Sequence, residues 1–280
     1  DKVMIQPPVY HPFAWVTTRN ERTLVINPLR WENGMYRMDL DAFREQIKGC
    51  KLFILCNPHN PGGVVWTEAE LRAIADICYD EKVLVFSDEI HADLTLPPHT
   101  HRPFATVSEK ARMNSVTFMS PSKAFNMPGL SASHALIFNE DLRKRFRIYM
   151  DAGELDMGHV FAFLSVEAAY SHGTEWLDQC LAYIQGNIDF VDEFLKKHAP
   201  KIKAIRPEAS YLVWLDCREL ELSQKDLNEF FVDKAHLALN DGEMFGKEGI
   251  GFMRLNVASP RCIIEKAMKQ LADAYQLYIK

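Results

Sequence analysis

Short runs of apolar and β-branched residues alternate with helix-period patterns through the first half of the chain. Strand-like segments fall at Val3–Gln6, Thr23–Asn27, Leu52–Cys56, Val83–Ser87, Ser115–Met119 and His134–Phe138. Between them, Asp39–Ile47 and Thr67–Tyr79 carry apolar residues at helical spacing. Thr67 followed by Glu70 predicts a capping box at the start of the second. Alternation of this kind predicts βαβ units and an α/β fold, a mostly parallel sheet sandwiched by helices. Ligands of such sheets sit beyond the carboxyl ends of the strands, so the residues just after each strand are where chemistry is expected.

From about Asp141 the pattern changes. Helical spacing runs through Asp141–Asp151, His159–Ser171 and Glu175–His198, the last long enough to bridge two domains. Shorter elements follow: strands at Lys203–Ile205 and Ser210–Asp216, a helix near Ser223–Ala235, a strand pair at Leu237–Leu239 and Gly251–Val257, and a closing helix from Pro260. The expected organisation is a large domain over residues 1–172, then an interdomain helix and a small C-terminal α+β domain over residues 173–280.

Composition narrows the class without naming a function. Hydrophobic residues make up 48% and charged residues 25% of the 280 positions, ordinary for a globular protein. The net charge of −6, with no Lys/Arg-rich block, argues against nucleic acid or an anionic membrane as partner. No apolar run approaches the roughly 20 residues of a membrane span, and Asp1–Ile5 reads as a strand rather than a signal peptide. Cys50, Cys56, Cys78, Cys180, Cys217 and Cys262 are scattered with no CxxC pair, which suggests reduced thiols in a cytoplasmic setting.

Four segments carry candidate chemistry, each with a plainer alternative. Ser120-Pro121-Ser122-Lys123 follows a strand directly, so its lysine could form an adduct with an aldehyde while the hydroxyls bond a phosphate; alone, it reads first as an ordinary surface lysine. Asn57-Pro58-His59-Asn60-Pro61-Gly62-Gly63 is either a simple turn or a rigid loop that aims an Asn amide into the ligand crevice. Asp88, in Ser87-Asp88-Glu89, is either a cap or a carboxylate facing a pyridine nitrogen, which it would keep protonated. Arg254 is either an ion-pair partner or a fork for a substrate carboxylate. The glycines at 246, 249 and 251 precede a strand rather than a helix, so a dinucleotide loop is excluded. His99-Thr100-His101 lies in a Pro-flanked loop without a third ligand at useful spacing, and no metal site is expected.

The ordered set of loop Asn, strand-end Asp, strand-end Lys and late Arg resembles the fold-type I pyridoxal-phosphate (PLP) enzymes, the aspartate-aminotransferase superfamily. The segments PPVYHPF, NPHNPGG, SDEIHADL, SPSKAFN and GFMRLNVASPR look most like its cystathionine β-lyase branch, of the MalY/PatB type. The resemblance implies that Tyr10 stacks on the cofactor ring, Asn60 bonds its phenolic oxygen and Asp88 its ring nitrogen. It further implies that Lys123 carries PLP as a Schiff base and shuttles protons, that Ser120 and Ser122 hold phosphate, and that Arg254 grips the substrate carboxylate. His91 stands where aminotransferases usually place a Tyr that bonds the phenolic oxygen, as in the lyase branch. Ser131 stands where many carry a cation for the phosphate.

The expected reaction is α,β-elimination from an S-substituted L-amino acid, giving thiol, pyruvate and ammonia. An aminotransferase is the alternative, since it shares the early steps, and an inactive or regulatory protein of this fold is a further one. The resemblance implies a homodimer. It also suggests a chain shortened at its N-terminus, lacking the turn that cups the phosphate and therefore expected to bind PLP weakly.

Overall fold

A computed structural model describes residues 1–155, 157–158 and 160–278. The first sheet is built from β1 (Lys2–Ile5), β2 (Thr23–Ile26), β5 (Cys50–Cys56), β6 (Leu84–Asp88), β7 (Ser115–Met119) and β8 (His134–Leu136); β3 (Arg30–Glu32) and β4 (Met35–Arg37) form a separate hairpin. Its order is β2-β1-β5-β6-β7-β8, parallel throughout except for the antiparallel edge strand β8. Helices α1 (Pro12–Arg19), α2 (Leu40–Gln46), α3 (Glu68–Asp80) and α4 (Glu109–Met113) fall between these strands. The short α5 (Pro121–Ala124) follows β7.

The capping box of α3 forms as its sequence predicts. Thr67 accepts from the Glu70 amide, and the Glu70 carboxylate accepts from the Thr67 amide. Leu71, Ile74, Ala75 and Cys78 then make its buried stripe. The α1 helix lacks such a signature. It is eight residues of mostly aromatic, β-branched and polar types, started by Pro12, and it holds because Phe13 and Thr17 bury one face.

After β8 come α6 (Glu140–Ala152), α7 (Val160–His172) and the 25-residue α8 (Thr174–His198). The expected start of the middle helix, His159, lies outside the described residues. The second sheet has the order β11-β12-β10-β9, all antiparallel: β9 (Lys203–Ile205), β10 (Leu212–Asp216), β11 (Asn240–Asp241) and β12 (Phe252–Asn256). Helices α9 (Gln224–Glu229) and α10 (Arg261–Tyr278), with the buried face of α8 at Ile184, Ile188, Val191 and Leu195, cover it.

The expected strand at Leu237–Leu239 is a correction. Those residues leave a π-helical turn at Phe230–Lys234, with the Leu237 amide bonded to the Phe231 carbonyl, and their apolar side chains pack on the second core as irregular backbone. Pairing with β12 begins only at Asn240. All six cysteines are free. Among the described residues no helix is long and apolar enough to cross a membrane.

Candidate active site

Strands β5, β6 and β7 are parallel neighbours that end together, Cys56 opposite Asp88 and Asp88 opposite Phe118. Three chemically loaded segments therefore emerge side by side. The Asn57 amide bonds the Asp88 carbonyl, and the Glu89 amide bonds the Phe118 carbonyl, which fixes the exits against one another.

Asn57–Gly63 is held from several sides. His59 is buried and its Nε2 donates to the Pro8 carbonyl, 2.8 Å away, so the loop is fastened to the segment that carries Tyr10. Burial pushes the His59 pKa down to about 4, more than the backbone bond raises it, and the ring is neutral. Gly63 has φ 68° and a Cβ there would fall 2.5 Å from Pro207 Cβ. Only glycine suits both demands.

At the end of β6 successive side chains point to opposite sides. Glu89 turns into the interior, where it accepts from Ser87 Oγ, the Phe104 amide and His101 Nε2 at 2.7–2.9 Å. That accounts for His101 as a structural partner. No group of three metal-ligating side chains occurs among the described residues. Asp88 turns into a cavity. Its Oδ1 accepts weakly from the Ile90 amide at 3.2 Å, so it caps the turn and still faces the cavity. Burial raises its pKa to about 6; the neighbouring Glu89 pushes the same way, and the Ile90 bond and Lys123 only partly oppose.

That cavity measures about 330 Å³ and brings together Tyr10, Asn60, Asp88, His91, Lys123 and Arg254. Arg254 arrives from β12 of the second sheet. Its Nη1 donates to Asn60 Oδ1 at 2.8 Å and its Nη2 to Asn240 Oδ1 at 2.7 Å, and the guanidinium lies 4.7 Å from the Phe245 ring. Burial lowers its pKa, opposed by Tyr10 and Tyr211. Because Asn60 Oδ1 accepts from arginine, the amide NH₂ of Asn60 is left as the donor toward the cavity. His91 is buried, and desolvation, then Lys123 and Arg254, push its pKa down to about 3, so it is neutral.

The two serines are placed differently. Ser122 lines an adjoining cavity of about 290 Å³ that meets the first at Lys123, Tyr211 and Asn256. Ser120 is buried and donates to the Ala132 carbonyl, with Ser122 Oγ against it. Ser131 sits at a left-handed turn and lines neither cavity.

Sequence reasoning missed Tyr211, Asn256, Cys56 and His11. Asn256 had a legible signal, two residues beyond Arg254 on one strand and hence on the same face. Tyr211 had none.

The residues fit a pyridoxal-phosphate cofactor at its ring end. A lysine amine, a carboxylate for the ring nitrogen and an amide donor for the phenolic oxygen converge on one cavity. Two of its buried polar atoms, His91 Nδ1 and Arg254 Nε, have no partner among the described residues. Fold and site together thus define a PLP-dependent enzyme of fold type I.

Comparison with known proteins agrees. Residues 1–271 match the family model for aminotransferase class I and II. The chain is 38% identical over 276 residues to cystathionine beta-lyase PatB of Bacillus subtilis, covering 98% of this chain and 71% of that protein. It superposes on PLP-containing cystalysin from Treponema denticola with a TM-score of 0.96 at 35% identity, covering 99% and 71%. On the PLP-bound C-S lyase from Staphylococcus hominis the TM-score is 0.90 at 33% identity, covering 98% and 70%. The chain belongs to the class I and II aminotransferase family and, within it, to the cystathionine β-lyase branch. Its cofactor is pyridoxal 5′-phosphate.

One prediction follows directly from the Arg254 geometry. Charge-assisted hydrogen bonds contribute roughly 1.5–3 kcal/mol each, so Arg254→Ala should weaken binding of α-carboxylate substrates by roughly 10–100-fold. The check is the discrimination between an amino acid and its decarboxylated amine, which should collapse in the variant. Unchanged discrimination would return Arg254 to a purely structural role.

Proposed function

We propose that this protein cleaves the Cβ–S bond of S-substituted L-amino acids such as cystathionine, releasing a thiol, pyruvate and ammonia. The observation that carries this reading is the convergence of Lys123, Asp88, Asn60, His91 and Arg254 on one cavity, with histidine at the position where aminotransferases carry tyrosine. The bound cofactor supplies an electron sink conjugated to the substrate α-carbon.

The chain's own groups do the rest. Arg254 binds the α-carboxylate and so fixes which substituent of the α-carbon faces the reactive lysine. Lys123, once its amine is free, takes the α-proton. Asp88 holds the proton on the ring nitrogen, and a cation placed there would restore the ionised carboxylate that burial disfavours. Asn60 donates to the phenolic oxygen while Arg254 fixes its orientation, so carboxylate binding and cofactor geometry are linked through one hydrogen bond. His91, uncharged, offers a neutral donor or acceptor beside them. Tyr10 covers the ring face. Ser122 receives the phosphate. Ser120, expected beside it, lines neither cavity and donates its hydroxyl to the Ala132 carbonyl, so it positions Ser122 instead. No cation besides Lys123 and Arg254 lines either cavity among the described residues.

The same reading places the domain boundary at 172/173, with α8 as the link, and makes the protein a cytoplasmic homodimer. Apolar side chains of α6 and α7, including Tyr149, Phe163 and Leu164, are exposed and suit a subunit interface. The free thiols suit a reducing compartment.

Reaction type is tested by incubating the PLP-loaded protein with cystathionine and no keto acid. The expected products are pyruvate, ammonia and homocysteine in equal amounts. Strict dependence on a keto-acid acceptor, with no pyruvate released, would move the protein to the aminotransferases.

A further inference from the structure

Arg254 is a cation without a counter-ion. Among the described residues it forms no ion pair; its two hydrogen bonds go to amide oxygens, Asn60 Oδ1 at 2.8 Å and Asn240 Oδ1 at 2.7 Å. The titratable groups that share its electrostatic surroundings are Tyr10, Tyr211, His11 and His91, and none of them is a carboxylate. The Phe245 ring, 4.7 Å from the guanidinium, closes another side with an aromatic face. Arg254 Nε is buried and has no partner among the described residues. Burying a guanidinium against neutral acceptors alone is costly, and an arriving anion removes that cost.

The strand register decides which side chain of β11 meets this cation. Asn240 lies directly opposite Arg254 and Asp241 opposite Met253, so the two side chains leave β11 on opposite faces. The amide goes to Arg254. The carboxylate goes to the α9 side, where it accepts from Gln224 Nε2, Asn228 Nδ2 and the Glu243 amide. Those three donors hold Asp241 in place and so pin the register. A slip of one residue would set a carboxylate against Arg254 and satisfy the cation from within the chain.

We infer that Asn240 is a positioning and specificity residue of the carboxylate subsite, one that holds the Arg254 fork in place without neutralising its charge. With Asn60 on the other nitrogen, the fork is gripped at both tips by neutral groups. Its charge is left for the α-carboxylate of the substrate. Asn240 lines neither cavity, so it acts through Arg254 rather than by touching substrate. The inference rests on Arg254 as the carboxylate anchor of the proposed lyase and adds that the strength of this anchor is set from a neighbouring strand.

The test uses Asn240→Asp and Asn240→Gln in the PLP-loaded protein. The probes are S-methyl-L-cysteine and its decarboxylated counterpart, 2-(methylthio)ethylamine. Asn240→Asp keeps the shape and an acceptor but adds a charge that competes with the substrate carboxylate. It should weaken binding of S-methyl-L-cysteine by roughly 10-fold, the equivalent of one charge-assisted hydrogen bond, and leave the amine unaffected. The loss should fall on KM, with kcat for pyruvate release little changed. The cofactor-free Asn240→Asp protein should melt no lower than the unaltered one, because the new ion pair compensates a buried cation. Asn240→Gln, which keeps a neutral acceptor, should bind S-methyl-L-cysteine within a few-fold of the unaltered protein. Calorimetric binding in a PLP-loaded Lys123→Ala background repeats the comparison without turnover, so it reads the subsite even if no pyruvate is released and the lyase reading fails. Equal binding of S-methyl-L-cysteine by Asn240→Asp and Asn240→Gln overturns the inference; if Arg254→Ala still loses the preference for the amino acid over the amine, the anchor itself stands. A loss shared by the amine, or a fall in kcat with a lower melting temperature, returns Asn240 to a purely structural role.

Discussion

Replacing Lys123 by alanine should abolish turnover. The amine stands at the carboxyl end of β7, one residue beyond Ser122, and lines both the cavity that holds Asp88 and the one that holds Ser122. No other lysine lines either cavity among the described residues. The loss of a positioned general base alone costs on the order of 10²–10⁴-fold in rate, and the covalent anchor for the cofactor is lost with it. Borohydride should fix PLP covalently to the unaltered protein and leave the Lys123→Ala variant unlabelled. Covalent labelling of the variant would show that a different lysine is the anchor.

Asp88→Asn should have opposite effects on rate and on the stability of the cofactor-free protein. If Asp88 pairs with the ring nitrogen, removing one partner of a buried charge pair costs about 3–5 kcal/mol. That is on the order of 10²–10⁴ in rate if it falls on the transition state. Without cofactor the carboxylate is a burden. Burial raises its folded pKa to about 6 from the ordinary 3.8, so the folded state binds the proton more tightly than the unfolded state. Below about pH 4 both states hold the proton and there is no penalty. As the pH rises through 6 the folded chain must carry a poorly solvated charge and loses on the order of 2–3 kcal/mol.

Asp88→Asn should therefore melt higher than the unaltered protein at pH 7–8 when PLP is absent, and the difference should vanish below pH 4. Adding PLP should raise the melting temperature of the unaltered protein more than that of the variant. A variant that is no more stable at pH 7 and within a few-fold in rate would reduce Asp88 to the cap of the turn at Ile90.

Much of this was legible in the chain because it is local. The strands, the capping box at Thr67 and the turn residues of Asn57–Gly63 follow from periodicity and backbone preference over a few residues. So does the placement of Asp88 and Lys123 at strand ends, where a parallel sheet collects its ligands. Local pattern gave no sign of the α1 helix, which is stabilised by burying Phe13 and Thr17, and it misled at 237–239, where the Leu-Ala-Leu alternation packs on the second core without pairing.

The sequence by itself determined the βαβ layout, the family resemblance and the place of Lys123, the candidate reactive lysine, just after β7. Only the tertiary structure decided which distant groups meet. Asn60 and Arg254 are 194 residues apart, and their bond depends on two sheets packing so that β12 faces the loop after β5. Tyr211 enters the site because β10 is the neighbour of β12, and Ser120 turns to the Ala132 carbonyl because the chain folds back there. Short-range preferences cannot encode such meetings, since they arise from the summed packing of elements far apart in the chain.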